Sequence, residues 1–179
     1  MWRPALLRRI SGFVPLLLVS SLTLGGCFWK YGFTGGGLPS DVKTVAVLPF
    51  ENLTAEPVLT QEITRAVREA VESRLGLRPS GEDQADAVVR GTIQRYDPDL
   101  PLTFTGQTPN NQVEVTKRMV QITVNVRILN QREGKVLWEK SGLVVQGDYD
   151  TTREKEAGGR RKALDKLIND IVEGAQSQW

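Results

Sequence analysis

Histidine is missing from all 179 residues, and cysteine occurs once, at position 27. These two absences remove most site chemistry. Zinc sites of the common kinds need His or Cys ligands, and Ser-His-Asp or Cys-His catalysis needs an imidazole. A lone cysteine closes no intramolecular disulfide, so the fold must stand on its core. Carboxylate pairs are the acid–base chemistry that remains. No apolar run reaches the ~20 residues that a spanning helix needs, no internal repeat recurs, and no low-complexity tail follows. Net charge is also small: 23 Lys and Arg face 21 Asp and Glu. Arg3, Arg8 and Arg9 sit at the extreme N-terminus, and without them twenty basic residues face twenty-one acidic ones, a formal net of −1. Nucleic-acid binding thereby loses its electrostatic basis.

What the chain does contain begins with those three arginines. An apolar run of about twelve residues follows, Phe13 to Leu24, within the length of a secretory h-region. It ends in Leu24-Gly25-Gly26-Cys27, not in an A-x-A cleavage pattern. Leucine, small, small, cysteine resembles the bacterial lipobox, which implies diacylglycerol transfer to the cysteine and cleavage before it, with Cys27 as the first mature residue. Two or more acyl chains, at about 0.8 kcal/mol per buried methylene, hold a protein stably at a membrane. Phe28, not an acidic residue, follows the cysteine; an aspartate there resembles the inner-membrane retention signal of enteric-type lipoproteins, and its absence favours delivery to the outer membrane. We therefore expect residues 1–26 to be a lipoprotein signal peptide, 27–41 the lipidated Cys and a flexible tether, and 42–179 one domain. The tether carries three glycines at 35–37 and Pro39. Its alternating Trp29, Tyr31 and Phe33 suit either the lipid headgroup layer or the edge of the domain.

Within the domain, Lys43 to Phe50 is a valine-rich run that fits a strand covered on both faces, stopping near Pro49. From about Pro57 to Leu75 a helix is expected, with Leu59, Ile63, Val67, Ala70 and Val71 on one stripe and Gly76 as its stop. Residues 79–86 read as loop. A second strand, Ala87 to Tyr96, is expected to break at Asp97-Pro98-Asp99-Leu100-Pro101, with Gly91 marking a bulge or close contact. Leu102 to Gln112 reads as a hairpin tip. The longest strand, Val113 to Asn130, puts Val120, Ile122, Val124, Val126 and Ile128 on one face, with a phase change near Lys117 and Arg118. A turn at 132–135 leads into a fourth strand, Val136 to Gln146. The last helix runs from about Thr152 to Ala175, with Thr151 and Glu154 suited to a capping box and Gly158-Gly159 weakening its first turns. The expected fold is α+β: two helices packed on one face of a four-stranded mixed β-sheet.

Tyr31-Gly32-Phe33-Thr34-Gly35-Gly36-Gly37-Leu38-Pro39, Lys43-Thr44-Val45-Ala46-Val47 and the run Pro49 to Pro57 carry a resemblance, as do Ala85-Asp86-Ala87-Val88, Ile122 to Val126 and Gly134 to Glu139. Together they resemble the lipopolysaccharide-assembly lipoprotein family, LptE. The resemblance covers nearly all of the mature chain. It implies an outer-membrane lipoprotein that plugs the lumen of a large β-barrel, LptD, in a 1:1 complex and assists insertion of lipopolysaccharide into the outer leaflet. Such a role needs no catalytic residue, cofactor or metal. Family members resemble one another in placing basic residues before the long strand and near the start of the last helix. This chain departs at the first place, with Asn110-Asn111-Gln112. Lys117, Arg118, Arg153 and Lys155 are left as candidates to contact glycolipid phosphates.

Two other classes compete. A periplasmic hydrolase could use Asp97, Asp99 or Glu114 as acid and base, although Asp97-Pro98-Asp99 reads as turn chemistry. A tethered α+β domain also suits an activator of a cell-wall synthase or a secretion-pore lipoprotein, because fold alone does not fix a partner.

Overall fold

The computed structural model describes residues 38–105 and 114–177, all within one unit, Gly35–Trp179. The sheet grows from the strand with the strictest alternation, β5 (Glu114–Asn130). Val120, Ile122, Val124, Val126 and Ile128 are 0–1% exposed, whereas Gln121, Thr123, Asn125 and Arg127 lie on the opposite face, as period two requires. β5 is flanked antiparallel by β4 (Ala87–Thr105) and β6 (Lys135–Asp150). Gly134, with φ of 64°, supplies the left-handed residue of the β5–β6 turn.

On the far side of β4, β1 (Thr44–Val47) and then β2 (Glu51–Asn52) pair with it in parallel. β3 (Arg78–Pro79) adds to the outer edge of β1. The order is β3-β1-β4-β5-β6 with β2 also on β4, so the sheet has six strands and not the expected four. Both extra strands are two residues long, too short to carry a periodic signal. The first strand stops near Pro49 as expected, at Val47, and β2 resumes beyond the proline. The backbone Pro49 leaves without ladder partners is met from α1 (Val58–Leu75): Thr64 Oγ1 accepts from the Phe50 N–H at 3.0 Å, and Arg68 donates to the Val47 carbonyl at 3.3 Å.

β4 does not break at Pro98 and Pro101. Beyond the Asn52–Ile93 pairing no strand lies on that side of β4 among the described residues, and proline is tolerated on an edge that needs no donor. Pairing with β5 continues through a one-residue shift between Asp97 and Leu100. The β5 irregularity expected near Lys117 is present, as a register shift between Lys117 and Val115. Residues 106–113, most of the expected hairpin tip, lie outside the described residues.

α1 and α2 (Glu156–Ser177) both cover the face that carries Val120 to Ile128, in one apolar cluster. α2 begins neither at Thr152 nor at Arg160. Thr151 does not cap it, because its hydroxyl donates to the Val115 and Thr116 carbonyls. Gly159 is not a weak point but a contact. A Cβ on Gly147 of β6 would fall 1.9 Å from the Gly159 carbonyl oxygen, so helix and strand meet backbone to backbone. Gly91 has a similar cause, for the Phe50 ring lies where its Cβ would be.

Candidate functional site

Cys27 lies outside the described residues, as do Trp29, Tyr31 and Phe33. The other candidates gather around one end of the sheet. The Asp97–Leu100 shift in β4 carries Asp99 toward β5, where its carboxylate pairs with Arg118. Tyr149 of β6 donates its hydroxyl to the Pro98 carbonyl at 3.1 Å and lies 3.3 Å from Asp99 Oδ1. Burial, and then the Asp99 charge, push the Tyr149 phenol above its ordinary value. These groups, with Thr151, Glu154, Lys155 and Glu156, line an open cleft of about 550 Å³.

Of the four expected contacts, Arg118 and Lys155 line this cleft. Arg153 is exposed in the turn before α2. That turn is fixed by Asp150, whose Oδ1 accepts from the Thr152 N–H at 2.9 Å and its hydroxyl at 2.6 Å, and these bonds hold the Asp150 carboxyl below its usual range. Lys117 alternates with Arg118 and so projects from the opposite face of the sheet. Among the described residues neither Lys117 nor Lys155 has an ion-pair partner. Asp97 and Asp99 are each tied to an arginine, Asp97 to Arg95 at 2.9 Å and Asp99 to Arg118.

Beneath the cleft runs a tie that sequence reasoning missed. Arg160, 14% exposed on its side chain, reaches Glu62 of α1 at 2.9 Å and Glu156 at 2.9 Å. The Tyr96 hydroxyl of β4 donates to Glu156 and accepts from Arg160 at 3.3 Å. Burial and the Glu156 bond raise the Tyr96 pKa. Both helices and the arm of β4 are thereby joined at the end where the cations lie.

The opposite end holds the start of the domain. Asp86 accepts from the Lys43 and Thr44 N–H groups at 2.9 and 3.0 Å and from the Thr44 hydroxyl at 2.9 Å, and pairs with Arg132 at 2.6 Å. The Lys43 and Thr44 bonds hold its carboxyl low, against the cost of burial. Asn130, 1% exposed, receives the Arg132 and Glu133 N–H groups and donates to Asp41 at 3.4 Å. Arg118 stands twelve residues along β5 from Asn130, about 40 Å at ~3.3 Å per residue.

Among the described residues the sheet face away from the helices is open over a shallow depression of about 710 Å³. Its arginines are matched locally, Arg90 with Glu82 at 2.7 Å and Arg127 with Glu139 at 2.5 Å, while Glu51 accepts from the Thr92 hydroxyl at 3.3 Å and Gln121 meets Gln146 at 2.7 Å. Among the described residues no three or more Asp, Glu or Cys side chains converge as a metal site, and no helix is long and apolar enough to cross a membrane.

The lipopolysaccharide-assembly family model, LptE, matches residues 42–174. No curated protein matches the sequence. Among solved structures, a Xanthomonas campestris protein is similar at 10% identity and a TM-score of 0.50, over 80% of this chain and 91% of its own. A lipoprotein from Neisseria meningitidis aligns at 14% identity and a TM-score of 0.43, covering 73% of this chain and 96% of that one. A dodecameric PelC from Paraburkholderia phytofirmans aligns at 15% identity and 0.48, covering 80% and 95%. The Xanthomonas likeness is one of fold.

Proposed function

The chain belongs to the LptE lipopolysaccharide-assembly family, and from that premise we propose that acyl chains on Cys27 hold it at the outer membrane, where it plugs the lumen of an LptD-like β-barrel in a 1:1 complex. In that position it assists passage of lipopolysaccharide to the outer leaflet. The observation that carries this reading is the family match over residues 42–174. The open sheet face is compatible with it: a barrel lumen is polar, and Arg90 and Arg127 on that face already hold carboxylates, which leaves Glu51 and Lys117 among the charges the lumen must meet. The backbone contact between Gly147 and Gly159 supports a rigid body of the kind a plug requires.

For the glycolipid, the proposed contacts are Arg118 and Lys155 at the cleft, Arg153 beside them, and Lys117 on the other face. Phosphate entering the cleft must share Arg118 with Asp99, whereas Lys155 is available at once.

Purification of the chain from membranes tests the plug. It should bring a large β-barrel in fixed ratio, and a Cys27→Ser variant should be recovered without acyl chains and outside the membrane fraction. A wild-type chain isolated unacylated and free of any barrel refutes the proposal. Binding of purified lipopolysaccharide tests the contacts. Arg118→Ala with Lys155→Ala should weaken it more than Lys117→Ala, and unaltered binding in the double variant removes the cleft from the assignment.

A further inference from the structure

β6 closes one side of the sheet, and among the described residues no strand pairs with its outer edge. Its sixteen residues, at ~3.3 Å each, present about 50 Å of backbone, interrupted by register shifts between Val136 and Trp138 and between Lys140 and Leu143, where Gly142 has φ of 65°. Two adjoining clefts run along this edge between β6 and the flank of α2. One, of about 410 Å³, has Trp138 and Leu143 as apolar surface and Asp170, Glu173 and Lys140 as its charges. The other, of about 310 Å³, is lined by Val145, Gln146, Asn169 and Lys166. Asp170 lines both, and among the described residues neither Asp170 nor Glu173 has a basic partner.

We propose that the β6 edge binds one extended segment of another protein as an added strand, with a basic side chain in the Trp138–Asp170–Glu173 cleft and an acidic one facing Lys166. Strand addition satisfies the edge N–H and C=O groups, while alternate side chains enter pockets on one face. Charge complementarity sets the two positions: the first cleft carries a net negative charge, Asp170 and Glu173 against Lys140, and the second is formally neutral, with Lys166 as the cation of its lining. A second copy does not fit as an antiparallel neighbour. α2 sits directly over β6, its Gly159 carbonyl 1.9 Å from where a Gly147 Cβ would lie. Paired strands ~4.8 Å apart would therefore bring two such helices closer than the 8–10 Å at which helices pack. The occupant is thus a segment without a helix layer of its own.

The test uses the full lipidated chain in detergent and three fluorescein-labelled nine-residue peptides of alternating threonine and valine. The first carries lysine at one valine position and glutamate four residues on. The second has the two charges exchanged, and the third is the better binder with alternate backbone nitrogens methylated. One charge order should bind and slow hydrogen exchange at β6 amides, and methylation should abolish binding. Asp170→Lys with Glu173→Lys, both on the helix surface, should weaken the preferred peptide at least about tenfold, with the thermal melt confirming that the variant is folded. Equal binding of the methylated peptide, unchanged exchange along β6, or full affinity in the folded double variant overturns the proposal.

Discussion

Replacing Gly147 by alanine tests the most demanding contact in the molecule. The added Cβ would lie 1.9 Å from the Gly159 carbonyl oxygen and 2.7 Å from the Ala163 nitrogen, where ordinary contacts begin at 3.4 Å. Both atoms belong to backbone, so no side chain can swing aside, and α2 must lift by about 1.5 Å, the difference between 3.4 and 1.9 Å. A radial gap of 0.5–1 Å already forfeits a quarter to a half of a dispersion contact. Ala163 and Leu167, both fully buried, sit on the part of α2 that must move. Overpacking ordinarily costs about 1–3 kcal/mol, and a backbone-on-backbone clash belongs at or above the top of that range, about 3–4 kcal/mol. With a urea slope of about 1–3 kcal/mol/M, the unfolding midpoint should fall by at least about 1 M. Gly81→Ala serves as the control, since nothing lies within 4 Å of its Cβ, and it should stay within about 0.5 kcal/mol of wild type. If Gly147→Ala unfolds at the wild-type midpoint, the close approach of the two layers is wrong.

Arg160→Ala should destabilise by about 2 kcal/mol, less than the 3–5 of a fully buried pair because Glu62 and Glu156 stay a quarter to a third exposed; Glu62→Gln added to it should recover part of the loss in denaturant titrations. Tyr96 has a raised pKa, so its contribution is complete below about pH 10 and is lost as pH rises through the higher folded value. Melting temperatures of Tyr96→Phe should accordingly decline less steeply than wild type above pH 10. Asp86 has the opposite sign, its carboxyl being held low by the Lys43 and Thr44 donors. Its stabilisation is complete above about pH 4 and disappears as pH falls through the lower folded value. The gap in melting temperature between wild type and Asp86→Asn should therefore close in acid, and a gap that stays constant from pH 7 to pH 2 contradicts the assignment. Gly91→Ala should destabilise, because its Cβ would meet Phe50 Cε1 at 2.1 Å and Phe50 is 2% exposed; calorimetry measures the loss.

The elements legible in the sequence were those with a period and enough length to display it. The α1 stripe of Leu59, Ile63, Val67 and Val71 and the β5 stripe from Val120 to Ile128 are both buried as their spacing demands. Arg78-Pro79 and Glu51-Asn52 gave no signal, because two residues show no alternation and owe their strand state to a neighbour. The prolines at 98 and 101 misled for a related reason: whether a strand can hold proline depends on which side lacks a partner, and that is a property of the assembled sheet. The local propensity of Gly159 points to a weak helix start, although the reason for a glycine there lies across the core at Gly147. The tie among Glu62, Tyr96, Glu156 and Arg160 joins residues as much as 98 positions apart, so only the fold brings it together. At the cation cleft, Arg118 and Lys155 follow as candidates from the family resemblance and their charge, but that Asp99 and Tyr149 stand beside them does not, since a bulge places the first and strand pairing the second.

The order of pairing in the sheet also dictates an order of events along the chain. β4, β5, β6 and α2 are consecutive, so each finds its neighbour next in sequence. β1 differs: its strand neighbours, β3 and β4, begin at residues 78 and 87, and the carboxylate that fixes its first amides is Asp86. When the polypeptide emerges N-terminus first, β1 has no strand to zip against until some thirty more residues bring β3, and some forty bring β4. The front of the molecule thus stays threadable until the middle arrives, and then locks.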